Sequence, residues 1–119
     1  MNEYSNIEDL LNKNDDELFE LIGRKINKKY ILPPSTKKLI ENGKKWFKDN
    51  KLEIVNIICT NKKIKDLMSK KINKIELIAA IADLISSVAH GIPAFVVSIL
   101  LFKQGIDSLC SSHKEYNKS

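Results

Sequence analysis

The side chains of this 119-residue chain best equipped for chemistry are two cysteines, Cys59 and Cys110, and two histidines, His90 and His113. Thiolates and imidazoles in such a set hold zinc. A local clamp needs C-x-x-C or H-x-x-x-H spacing, and no two of the four residues have it. The reading is therefore two buried thiols, a helix-end histidine and a tail histidine, with no metal and no cofactor. Thiol catalysis would set His90 beside Cys59 or Cys110 as base. Yet Cys110 ends a helix, where the dipole disfavours a thiolate, and Cys59 follows Ile57 and Ile58. Two cysteines so far apart do not resemble a disulfide framework, so a reducing cytoplasm is the expected setting.

The carboxylates point the same way. Asp15, Asp16 and Glu17 form a paired cluster, but they stand where a helix N-terminus favours negative charge. Asp83 is the one acid inside a strongly apolar stretch and reads as part of a solvated strip. No Walker loop, G-x-S-x-G elbow or dinucleotide fingerprint occurs. The chain is expected not to be an enzyme, and no small-molecule substrate is inferred.

Charge is the next feature able to do something. The net charge is +5, unevenly placed. Residues 1–23 carry −6, residues 24–74 carry +12, and residues 75–119 carry −1. Lys37, Lys44, Lys45, Lys48 and Lys51 form a candidate face for an anionic partner, nucleic acid or lipid headgroups. Arg24 is the only arginine, so base recognition by bidentate arginine is not available elsewhere. Trp46 and Phe47 fall on an apolar stripe and read as core.

Helices must position these groups. Ser5 with Glu8 and Asn50 with Glu53 have the spacing of capping boxes, and Asn14 precedes three acids. The pattern predicts a helix from Asn14 to about Lys29, stopped by Pro33-Pro34. A helix capped by Ser35 should run from Thr36 to Asp49. Two short helices, Lys51–Cys59 and Asn61–Ser69, should follow, the second capped by Thr60. Asn73 should cap a helix reaching about His90, and Pro93 should open a last helix reaching Cys110. No period-two alternation argues for a strand. The expected fold is all-α: a small multi-helix bundle, one domain over 1–119, with 111–119 as a polar tail.

The last two helices form an apolar hairpin about Gly91-Ile92-Pro93. Residues 84–102 contain no Asp, Glu, Lys or Arg. A hydropathy window alone would mark a membrane span there. Against this, the break leaves helices of about 22 and 27 Å, short for a hydrocarbon core of about 30 Å. Glu76, Asp83, Ser87 and His90 also form a narrow polar strip on the first of them. Placing Asp83 at mid-bilayer would cost roughly 3 kcal/mol. Small residues, Ala79, Ala82, Ser86 and Ala89 on one helix and Ala94, Ser98 and Gly105 on the next, suit close packing in water or in lipid.

The end of the hairpin carries a pattern, Lys-x-Gly-hydrophobic-Asp-x-hydrophobic-Cys, at Lys103, Gly105, Ile106, Asp107, Leu109 and Cys110. It resembles the ends of small uncharacterised bacterial helical proteins associated with phage-defence and mobile-element loci. The resemblance covers the last third of the chain. It implies an accessory or regulatory role rather than a known chemistry.

These readings converge on a non-enzymatic helical interaction protein, cytoplasmic, that binds another protein or itself. The expected contact residues are Phe95, Val96, Ile99 and Phe102. Two alternatives stay open. One is an inner-membrane-associated effector whose hairpin inserts into a bilayer. The other is a lysine-rich nucleic-acid-binding accessory protein.

Overall fold

The computed structural model describes residues 3–27, 34–70, 73–89 and 91–111, with side chains from Ile7 onward. Every regular element among them is a helix: α1 (Glu3–Leu11), α2 (Asp15–Ile26), α3 (Thr36–Thr60), α4 (Lys62–Ser69), α5 (Lys74–Val88), α6 (Ala94–Gln104) and a short α7 (106–111). The all-α expectation holds. His90, His113, Lys28, Lys29, Pro33 and the tail beyond 111 lie outside the described residues.

Local chemistry explains most helix starts. Asn14 closes a full capping box on α2: its Oδ1 accepts from the Glu17 N–H at 2.8 Å, and the Glu17 carboxylate accepts from the Asn14 N–H at 3.1 Å. Ser35 caps α3, and Asn73 caps α5 through the Ile75 N–H. The Ser5 expectation fails, because α1 already runs from Glu3 and Ser5 lies within it.

Two further boundaries differ from expectation. Residues 36–60 form one continuous helix rather than two. Asn50 does not cap; its Nδ2 donates back to the Trp46 carbonyl at 2.8 Å within an unbroken helix. Leu39, Gly43 and Phe47 are buried at one end and Ile54, Ile58 and Cys59 at the other, so a shared core carries the helix through the polar step. Thr60 is likewise not a cap. Its hydroxyl donates to the Asn56 carbonyl, and Asn61 caps α4 by accepting from the Ile64 N–H at 3.0 Å. The last expected helix is divided at Gly105, whose φ of 94° lies where side chains with a Cβ are strained.

The core is organised around α6. It packs against α5, α2 and α1, and Val96 to Leu101 are all buried. Val97, Ile99 and Leu101 have no exposed surface. Burial of each such side chain contributes about 2 kcal/mol. Ser98 is the one polar side chain in that run, and its hydroxyl donates to the Ile78 carbonyl of α5 at 2.7 Å. The polar atom is thereby satisfied where water cannot reach it. The middle of the apolar hairpin, residues 96–101, is thus covered by the chain itself, while Val88 near its turn stays 47% exposed. Among the described residues no helix is long and apolar enough to cross a membrane.

On the expected polar strip Glu76, Asp83 and Ser87 are exposed. The small-residue face is only partly a contact: Ala82 is buried, but Ser86 faces solvent.

The α2–α3 hairpin packs by a different device. A Cβ on Gly23 would lie 2.0 Å from the Leu39 carbonyl oxygen, and one on Gly43 would lie 1.9 Å from that of Phe19. Each helix therefore presses a glycine onto the other's backbone, four residues from the carbonyl that receives its partner's glycine. The absent side chains set the interhelical distance.

Candidate protein-binding groove and basic face

The four expected contact residues divide in two. Val96 and Ile99 are core, 3% and 0% exposed, because the middle of α6 is enclosed by α1, α2 and α5. They offer no surface to a partner in this fold, which corrects their assignment as contacts. Phe95 and Phe102 are half-buried and pack against the core from its edge.

Phe102 lies in a groove that the sequence reading did not find. One end, a cavity of about 500 Å³, is lined by Leu67, Met68, Leu77, Phe102, Gly105 and Ile106, with Asp107 and Ser108 at its edge. The adjoining end, about 430 Å³, is lined by Ile58, Cys59, Ile64, Met68 and Cys110, with Lys65, Asp107 and Ser111. Met68 and Asp107 line both, so the two cavities adjoin between α4 and α7. Its floor is apolar and its rim carries Lys65, Asp107 and Ser108. An apolar centre with a polar rim is the usual anatomy of a protein contact surface. Methionine at the middle is unbranched and adaptable in shape.

The elements explain why the groove exists. α4 turns Ile64 into the core and leaves Leu67 and Met68 half-buried beside it. α7 starts only after the break at Gly105, so it departs from the α6 axis and leaves space toward α4. The apolar spacing Ile64, Leu67, Met68 on an otherwise lysine-rich helix was the legible signal. The facing wall was not legible, because it depends on where Gly105 sends the chain.

One wall holds the largest departure from expectation. Cys59 and Cys110 are joined by a disulfide, with Cα atoms 5.3 Å apart and a sequence separation of 51. They are not the two free thiols expected. Cys59 ends α3 and Cys110 sits on α7, and α4 to α6 bring these ends together. Neither sulfur is free to act as nucleophile or metal ligand in this state. Among the described residues no group of three or more His, Cys, Asp or Glu side chains is arranged to hold a metal.

The lysine face is also on the surface. Lys37, Lys44, Lys48 and Lys51 fall within roughly 60° of one another around α3 and span about 21 Å of its length, with Lys45 at the flank. Lys37, Lys45 and Lys48 are exposed and make no ion pair among the described residues. Lys44 pairs with Asp16 at 3.4 Å and lies 5.9 Å from the centre of the Phe19 ring, and Lys51 stands at the same distance over Phe47. The acidic start of α2 thus offsets the middle of the basic face. A second acid there, Asp15, binds Lys103 of α6 at 3.1 Å, while Lys103 also donates to the Lys13 carbonyl. Asp15, Asp16 and Glu17 therefore cap and tether, as the sequence suggested for a helix N-terminus. Comparison with family models, with curated proteins and with solved structures finds no match to the chain.

Proposed function

We propose that this chain is a non-enzymatic helical protein that acts by binding another protein through the groove between α4 and α7. The observation that carries the reading is the cluster of half-buried apolar side chains Leu67, Met68, Leu77 and Phe102 that lines one cavity beside the core. The occupant best suited to it is an apolar helix face or short apolar segment, with Lys65 and Asp107 fixing its orientation by charge. The accessory role in bacterial defence implied by the C-terminal pattern is part of this proposal and rests on that pattern alone. A cytoplasmic setting remains part of it as well, with the disulfide then formed transiently rather than as a permanent staple.

Substitution on the groove tests this. Met68→Lys combined with Leu67→Lys places charge on the floor without touching α6. The expected outcome is that a partner co-purified with the wild-type chain, or self-association seen by sedimentation, is lost while the helical circular dichroism is kept. Unchanged binding and association in the folded variant would overturn the groove as the contact.

The exposed lysine row on α3 favours a second reading, contact with an anionic polymer such as nucleic acid. A steep fall of affinity with salt, weakened by Lys37→Ala with Lys48→Ala, is its expected signature. Absence of binding at low salt would eliminate it.

A further inference from the structure

We propose that the Cys59–Cys110 bridge is a redox latch: reduction by a dithiol frees α7 to swing about Gly105 and widens the groove. This goes beyond the binding proposal, since it concerns what opens the groove and not what enters it.

The argument rests on how little else holds α7. The bridge ties it to the last turn of α3. Toward α4 the neighbouring space is the groove itself, about 500 and 430 Å³ at its two ends. Among the described residues, the hydrogen bonds at its start are local: the Gly105 N–H donates to the Phe102 carbonyl and the Leu109 N–H to the Gly105 carbonyl. No side chain of 106–111 makes an ion pair there. What remains is the packing of Ile106, 6% exposed, with Leu109 partly packed on the core. At the other end of the segment Gly105 stands at φ 94°, and a Cβ built on it would meet nothing closer than 3.8 Å. A hinge of this kind lets the backbone turn without collision.

The bridge is placed to be reached. Both cysteines line the same end of the groove, and of the two Cys59 is the more buried, 5% exposed, while Cys110 is half-buried. A reductant thiolate therefore attacks the Cys110 Sγ, forms a mixed disulfide there and expels the Cys59 sulfur as a thiolate, which takes a proton. The second thiol of the reductant then displaces Cys110. The dithiol leaves as its own disulfide, and two electrons and two protons have passed to Cys59 and Cys110.

Amide NMR of the whole chain, oxidised and then treated with dithiothreitol, tests the latch. On reduction the backbone order parameters of residues 106–111 should fall from about 0.85 to below about 0.6. The resonances of Leu67, Met68 and Phe102 should shift, and those of Gly23 and Gly43 should stay in place. The double variant Cys59→Ser with Cys110→Ser should show the reduced pattern with or without dithiothreitol. Changes confined to the two cysteines and their chain neighbours would overturn the latch and leave a simple cross-link. Collapse of dispersion in α2 and α3 of the reduced wild type would also overturn it, because the bridge would then hold the whole fold.

Discussion

In the α2–α3 hairpin two glycines seat backbone against backbone; in the α5–α6 hairpin a serine hydroxyl reaches a backbone carbonyl. Gly23 and Gly43 let two charged, amphipathic helices touch along their peptide groups. α5 and α6 use no such device. Their association comes from enclosure, since α6 is apolar on every side and is surrounded by α1, α2 and α5. The difference teaches where each hairpin is vulnerable. The first fails if volume is added and the second if volume is removed, and the disulfide joins the end of α3 to α7, which follows the second hairpin.

The largest effects should come from the enclosed helix and the bridge. Ile99→Ala leaves a cavity where no neighbour can collapse easily and should lower unfolding free energy by about 4 kcal/mol in urea melts. A loss under about 1 kcal/mol would mean that α6 is not enclosed. Replacing both cysteines by serine releases a cross-link across 51 positions, which in the chain-entropy model costs about 4 kcal/mol. The measured change in melting midpoint between oxidised and reduced protein checks that figure.

The glycine crossing comes next. Gly43→Ala drives a methyl group into the Phe19 carbonyl and should destabilise by about 3 kcal/mol, as should Gly23→Ala against Leu39. If Gly43→Ala were neutral, the two backbones could part freely and the contrast between hairpins would vanish. Ser98→Ala removes one buried donor but leaves the Ile78 carbonyl within its helix, so the cost should be about 1 kcal/mol. The smallest effect belongs to the charged rim. Lys44→Met breaks the pair with Asp16, but both partners are more than half exposed, at 55% and 62%, so stability should change by less than about 0.5 kcal/mol.

Much of the secondary structure was legible because its causes are local. The Asn14 box, the Ser35 and Asn73 caps and the turn near Gly91 each involve residues within four positions of one another. Asn50 misled for the same reason: its sequence looks like a cap, and only the burial of residues on both sides shows that the helix continues. The groove was half legible. The stripe Ile64, Leu67, Met68 could be read from α4, while Phe102 was already singled out among the contacts. Their meeting could not be read, nor could the enclosure of Val96 and Ile99.

By itself, the sequence determined an all-helical chain, an apolar last hairpin with a polar strip, and a lysine-rich middle. Those properties follow from side-chain periodicity, capping and charge, which act over one or two turns. The tertiary structure alone decided that α6 is the covered centre, that Gly23 and Gly43 seat two backbones together, and that Cys59 meets Cys110. Each depends on residues far apart in the chain reaching one place, and no local pattern encodes that distance.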